Sequence, residues 1–265
     1  MLRLTIASER FELHLPDGPL ADALTQAYRA FLADSGEGPS QLLRFTPDGR
    51  AAPPGVRQMP VVRGRHVVGA GFQAELGIDG AHVIGADERF GVESVLKLLL
   101  ARALLRRGAI LVHGVALGDG EACAVLLGES GAGKSTLGAL GAGAGLVRLA
   151  DELVALDVDG SAQGTPWNIG RAQTARLRLL GTLGWSEACR LEPLSAVDFL
   201  PLLLSNTLLS DDSPATRAAV FQLASGLLAR HPPERFYFPP DASAPAFLRA
   251  ALLSRAARPP PPTAG

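Results

Sequence analysis

The sequence predicts an α/β protein in two parts: a small N-terminal α+β domain, then a larger domain built around a strand, a glycine-rich loop and a helix. Alternating apolar and polar residues recur in the first part. A long apolar helical pattern covers Phe90 to Arg107, and the strand pattern Ala122 to Leu127 leads directly into glycines. We expect domains at residues 1–88 and 89–258, and a disordered tail at 259–265 without large apolar residues to bury.

The first part shows strand and helix patterns but no motif that indicates chemistry. Residues 2–15 have strand patterns, and Leu20 to Leu32 has the apolar spacing of an amphipathic helix. The segment from Ser35 to Pro60 is rich in glycine, proline and polar residues, which predicts loops. Short β-like runs with glycines at the breaks follow between Val61 and Ile84. We therefore expect an accessory domain.

The second part begins where the predicted helix ends in arginines and Gly108, which are usual C-terminal signals. A strand is expected at Ala109 to Leu117, and the Gly118-Asp119-Gly120 turn predicts a hairpin to the strand that precedes the loop. The elements predicted beyond the loop are, in order, a helix from Ser135, a strand at Leu153 to Val158, and helices at Ala196 to Leu204 and Ala215 to Ala229.

Composition argues against several kinds of partner. The chain has 47% hydrophobic and 19% charged residues, which is ordinary for a packed globular core. Its net charge of -1 is spread without long runs of one sign, so we expect no nucleic-acid partner and no anionic membrane partner. No stretch approaches the roughly 20 apolar residues of a membrane span.

Two features predict a cytoplasmic location. Cys123 and Cys189 both lie in apolar stretches, and this usage favours buried thiols in a reducing compartment over a disulfide framework. The segment from Met1 to Leu15 lacks the basic stretch and apolar core of a signal peptide.

The segment from Gly128 to Ser135 fits the phosphate-loop pattern G-x-x-x-x-G-K-[ST], with a predicted strand before it and a helix after it. Glycines let the backbone bend around a phosphate and aim successive N–H groups at it. Lys134 and Lys97 are the only lysines among 25 basic residues, which favours a function for Lys134. The residues expected to contact nucleotide are Gly128, Glu129, Ser130, Gly131, Ala132, Gly133, Lys134, Ser135 and Thr136.

Two common classes of phosphate-loop protein do not fit. A GTPase needs an Asn-Lys-x-Asp motif, and neither lysine lies in one. A transporter-type ATPase needs further signature loops, and the interval between Ser135 and Asp151 is too short to hold them.

Three neighbouring features each have a structural and a functional interpretation. The acidic pair Asp151-Glu152 lies at a strand boundary, where it is either a solvated turn or a ligand set for Mg²⁺ and a proton acceptor. His113 is either a core histidine or a catalytic group. Gly164-Thr165-Pro166-Trp167, followed by Arg171, forms a turn that alone would indicate only a loop.

Together these spacings resemble the catalytic domain of the HPr kinase/phosphorylase family and its smaller relatives, the HPr-kinase-like proteins found beside peptide-modification genes. The resemblance covers Ala109 to Arg171 best and includes His113-Gly114, the loop motif and the acidic pair. Gly164 to Trp167 looks like the G-T-P-W segment of the smaller relatives. The family usually carries Asp-Asp where this chain has Asp151-Glu152.

The resemblance implies the fold shared with phosphoenolpyruvate carboxykinase and an ATP- and Mg²⁺-dependent kinase that phosphorylates a serine or other hydroxyl of a peptide or protein. In that interpretation Lys134 and Ser135 hold nucleotide and metal, Asp151 is the base, Glu152 is a second metal contact and His113 is an auxiliary group. Since phosphoryl transfer also needs positive charge near the γ-phosphate, Arg171 is our candidate arginine.

Two alternatives remain open from sequence. One is a small-molecule kinase or carboxykinase-like enzyme that uses the same site. The other is a nucleotide-binding regulator without turnover, for which Glu152 in place of aspartate is the only indication. A homo-oligomer is compatible with all three.

Overall fold

The computed structural model describes residues 1–34, 38, 40–51, 59–129 and 131–256. These residues form two compact units, one drawn from the described parts of 1–107 and 209–219, the other from the described parts of 108–208 and 220–256. Each unit has a mixed β-sheet with helices, which confirms the predicted α/β class. The predicted tail at 259–265 lies outside the described residues.

The first unit contains a sheet of seven described strands in the order β1-β2-β3-β7-β6-β5-β4. Strands β2, β3 and β7 run parallel, and the other neighbours are antiparallel. Its elements are β1 (Leu2–Ile6), β2 (Glu9–His14), α1 (Pro19–Ala27), β3 (Gln41–Pro47), β4 (Val61–Arg63), β5 (His66–Gly69), β6 (Phe72–Leu76), β7 (Gly80–Gly85) and α2 (Arg89–Arg106).

Helix α2 covers this sheet and holds the core of the unit. It packs against β2, β3, β6 and β7, and Val95 and Leu99 are fully buried there with Leu43 and Val83 of the sheet. The helix predicted from Phe90 to Arg107 is therefore confirmed to within one residue. The first compact unit runs through this helix to Arg107, whereas the sequence-based boundary falls at residue 88.

The loop predicted from Ser35 to Pro60 is wrong where strand β3 lies. Gln41, Leu43 and Phe45 point inward and alternate with more exposed residues, which is a half-buried strand pattern. The glycines and prolines on either side masked this short alternation in the sequence.

The second unit contains a sheet of nine described strands, with β11-β9-β10-β14-β13-β12-β8 as its main path and β16 and β15 added beside β14. Strand β14 runs parallel to both β10 and β16. The elements are β8 (Ala109–His113), β9 (Val115–Gly118), β10 (Ala122–Leu127), α3 (Lys134–Gly141), β11 (Val147–Ala150), β12 (Leu153–Asp157), β13 (Ser161–Gln163), β14 (Thr174–Trp185), β15 (Arg190–Pro193), α4 (Ala196–Ser205), β16 (Glu234–Phe238) and α6 (Ser243–Ala256). Residues 214–219 of helix α5 (Pro214–Arg230) belong to the first unit and residues 220–230 to the second.

The hairpin, strand and helix predicted around the glycine loop are confirmed. Strand β9 pairs antiparallel with β10, all of β10 is buried, and α3 begins at Lys134. The predicted strand at Ala109 to Leu117 is divided at Gly114, where a side chain would lie 2.8 Å from Leu127 Cδ2 and 3.0 Å from the Leu126 carbonyl oxygen. Glycine is required there because the end of β10 passes so closely.

The two cysteines are free thiols. Cys123 is fully buried in β10, and burial raises its pKa to about 12. Cys189 is only half-buried, so the expectation of two buried cysteines is right for Cys123 alone. None of the helices in the described part of the chain combines the length and the apolar character needed to cross a membrane.

We predict that Leu43→Ala destabilises the first unit. The side chain is fully buried beneath α2, so its removal leaves a cavity and should lower the free energy of unfolding by about 2–5 kcal/mol. Ile78→Ala is the control, because Ile78 is exposed in the same unit. Urea unfolding followed by circular dichroism measures both, and equal losses for the two variants would contradict the assigned core.

Candidate functional site

The glycine loop, defined here as residues 128–133, joins the buried strand β10 to helix α3. Gly131 and Gly133 have φ angles of +86° and +100°, a left-handed conformation that residues with a Cβ rarely adopt. The Ala132 amide donates to the Glu129 carbonyl at 3.2 Å and closes the turn. The fold thus places the helix start directly after the strand end. Ser130, a predicted nucleotide contact, lies outside the described residues.

The start of α3 has the properties of an anion site. Gly133 is the N-cap, and no side chain caps the helix by a hydrogen bond. The first N–H groups of an α-helix have no partner within the helix, and they form the positive end of its dipole. Ser135 and Thr136 in the first turn are exposed. A phosphate group fits this donor set.

Lys134 lies over the glycine loop. Its Nζ donates to the carbonyl oxygens of Gly128 at 2.5 Å and of Glu129 at 3.0 Å. Partial burial lowers the pKa of Lys134, and the negative charge of Asp151 opposes that shift. The ammonium group and the Asp151 carboxylate therefore interact across the same space.

The acidic pair reaches this space through an antiparallel ladder. Strands β9 and β8 pair with β11 and β12 respectively, with Ala150 opposite Ala116 and Leu153 opposite His113. Between these partners the Gly114 amide donates to the Glu152 carbonyl at 3.0 Å. The ladder therefore sets Asp151-Glu152 against His113-Gly114, as a single site requires.

The Asp151 carboxylate is held by two side chains that sequence reasoning missed. Arg148 Nη1 lies 2.8 Å and Asn168 Nδ2 lies 3.3 Å from Asp151 Oδ2, and the Asp151 side chain is only 4% exposed. Arg148 also packs on α3, because a side chain at Gly138 would lie 2.9 Å from Arg148 Nε. The arginine thus connects the acidic pair to the helix that follows the loop. The sequence feature that could have indicated this contact is an arginine three residues before Asp151.

His113 and Arg171 are both exposed. The core interpretation of His113 is therefore wrong, although its backbone amide is anchored to the Asn206 carbonyl at 2.7 Å. Arg171 donates its backbone amide to the Leu149 carbonyl at 2.9 Å, which places its backbone beside β11. Arg148, not Arg171, contacts the Asp151 carboxylate. The role of Arg171 near a γ-phosphate stays a prediction.

The Gly-Thr-Pro-Trp segment, Gly164 to Trp167, packs against β11 and β12, the strands on either side of the acidic pair. Thr165 Oγ1 donates to the Leu153 carbonyl at 2.5 Å, and Trp167 is only 3% exposed. A side chain at Gly164 would lie 2.5 Å from the Leu149 carbonyl oxygen. Asn168 follows with a φ angle of +59°, and its amide reaches Asp151. The segment therefore presents Asn168 to the carboxylate.

The donor set suits a magnesium ion only in company with phosphate. Within the described ranges, no group of three or more His, Cys, Asp and Glu side chains could hold a metal by itself. Mg²⁺ usually binds through one or two carboxylates, water and substrate phosphates. The ligands predicted from sequence, Asp151, Glu152 and Ser135, would supply two carboxylates and a hydroxyl to this mode of binding.

The chain matches no protein-family model, and the search of curated proteins gave no match either. The resemblance to HPr-kinase-like proteins therefore remains a prediction from the residues named above.

We predict that Arg148→Met destabilises the second unit through Asp151. Methionine keeps much of the side-chain length but removes the charged partner of a nearly buried carboxylate, so the free energy of unfolding should fall by about 1–3 kcal/mol. The same change made in an Asp151→Asn background should cost less, which urea unfolding of all four proteins measures. Equal costs in both backgrounds would mean that the ion pair does not contribute.

Proposed function

We propose that this chain is an ATP-dependent kinase that uses Mg²⁺ to transfer the γ-phosphoryl group to a serine or other hydroxyl of a peptide or protein. The main support is that one unit contains a glycine loop ending in an uncapped helix, Lys134 over that loop, and an acidic pair whose Glu152 carbonyl accepts from the Gly114 amide. A phosphate-loop kinase domain of the carboxykinase and HPr-kinase type is the fold that this proposal implies.

Each side chain would have a defined role in the reaction. Lys134 would exchange its two loop carbonyls for oxygens of the β- and γ-phosphates, while Ser135 and the acidic pair would bind Mg²⁺. Bound Mg²⁺ supplies positive charge to the phosphate oxygens. As the acceptor oxygen bonds to the γ-phosphorus, the bond to the bridging oxygen of ADP breaks and the hydroxyl proton passes to Asp151.

The exposed His113 would lie on the acceptor side of this space, since it pairs with Leu153, the residue that follows the acidic pair. The proposal keeps the cytoplasmic location and the absence of nucleic-acid and membrane partners that composition favours.

One observation favours the alternative of a nucleotide-binding regulator without turnover. Arg148 and Asn168 both donate to Oδ2 of the Asp151 carboxylate, so Oδ1 is the oxygen that would have to accept the proton. A carboxylate held in this way suits an electrostatic or metal-binding role as well as a basic one. Measurements of transfer separate the two functions.

We predict that Lys134→Ala abolishes phosphoryl transfer and weakens ATP binding by at least tenfold, because it removes the cation of the loop. Calorimetric titration with Mg²⁺-ATP measures the affinity. Transfer of phosphate from labelled ATP to candidate peptides encoded by neighbouring genes measures activity. Lys97→Ala is the matched control, since Lys97 lies on α2 in the first unit. Unchanged ATP affinity in Lys134→Ala would refute the nucleotide site.

We predict that Asp151→Asn keeps ATP binding and slows transfer by roughly 10²-fold or more, as expected for loss of a general base. Asn retains the size and much of the hydrogen bonding but not the charge. Asp159→Asn, two residues beyond the far end of β12, is the control and should behave as the wild type. If the wild type binds Mg²⁺-ATP yet turns over no faster than Asp151→Asn with any acceptor, the regulator function replaces the kinase.

A further inference from the structure

Trp185 is an exposed aromatic residue beside the glycine loop. It is the last residue of β14 and is 48% exposed. Its indole Nε1 donates to the Gly131 carbonyl at 3.4 Å, and a side chain at Gly133 would lie 3.0 Å from Trp185 Cζ2. The indole ring therefore lies against the loop that would hold phosphates.

The ring is the outer end of an aromatic column, defined as Phe247, Phe236, Phe238 and Trp185. Successive ring centroids are 5.8, 5.2 and 4.9 Å apart, and the first two pairs are stacked with interplanar angles of 8° and 18°. Offset stacking at these spacings is favourable for aromatic side chains. The column fixes the Trp185 ring from the inside.

Trp185 is the exposed ring of the column, while Phe247 at its other end is partly buried. Phe236 and Phe238 are fully buried in a core that includes Leu137 of α3 and Leu248 of α6. Trp185 packs on that core at Phe238 and at the loop glycines, while about half of its surface faces solvent. A rigid aromatic surface loses little conformational entropy when a flat ligand stacks on it.

We infer that Trp185 stacks against the base of the nucleotide whose phosphates occupy the glycine loop. This inference rests on the proposed function, because it requires phosphate at Lys134. The base is tethered to those phosphates and therefore lies within reach of a ring that touches Gly131 and Gly133. Every base has a π-face, so stacking on Trp185 would add affinity with little discrimination between purines.

The test compares ligands with and without a base. Binding of Mg²⁺-ATP and of Mg²⁺-tripolyphosphate to the full chain is measured by calorimetry for the wild type, Trp185→Ala, Trp185→Phe and Phe221→Ala. Phe221 is the matched control, since it is exposed to a similar extent (50%) in the second unit. Trp185→Ala should weaken ATP binding about tenfold, the order expected for one stacking contact, and leave tripolyphosphate binding unchanged. Trp185→Phe should retain most of the ATP affinity.

Fluorescence gives an independent readout, because Trp167 is the other tryptophan and is only 3% exposed. ATP should quench the wild-type emission, tripolyphosphate should not, and the quenching should vanish in Trp185→Phe.

Three results would overturn the inference. If Trp185→Ala lowered the affinity for both ligands equally, the ring would stabilise the loop conformation and would not stack on the base. Unchanged ATP affinity in that variant, with wild-type binding of both ligands, would place the base elsewhere and leave the proposed function standing. Failure of the wild type to bind either ligand would remove both proposals.

Discussion

The pairing of residues 109–118 with residues 147–157 is the constraint on which the candidate site depends. This ladder brings Gly114 against Glu152 and His113 opposite Leu153, while the chain between its two arms forms β10, the glycine loop and α3. The strand that precedes the loop pairs with β9 of the same ladder. Hydrogen bonds of a sheet thus fix the separation of groups that lie far apart in sequence, and Arg148 extends this connection to α3.

The two basic side chains of this region have different partners. Arg148 contacts the Asp151 carboxylate, whereas Lys134 donates to backbone carbonyls of the loop. Lysine lacks the planar fork of arginine and acts as a movable point charge, which suits a group that changes partners. Arg148 has the opposite character, since it is largely buried and holds the carboxylate in one orientation. Lys134 thus has the side chain better suited to exchanging partners, and Arg148 has the side chain better suited to holding one carboxylate in place.

Local patterns were sufficient to predict the loop and its flanking elements. The glycines, the strand before them and the helix after them depend on neighbours in sequence, and α2 carries an unbroken apolar pattern. Long-range contacts were not predictable in this way. Strand β14, to which β10 is paired, and the contacts of Arg148 and Asn168 with Asp151 depend on how distant segments meet. The contact of Trp185 with Phe238 likewise depends on β14 and β16 lying side by side.

The aromatic column also affects when the glycine loop can fold during synthesis of the chain. The glycine loop precedes β16 and α6 in the chain, yet Gly133 packs against Phe238 and Trp185, and Phe247 of α6 backs the same rings. When the loop has just emerged from the ribosome, the later residues that pack against it have therefore not yet emerged. Domains generally fold as units during synthesis. The loop would thus reach its final conformation only after α6 has emerged.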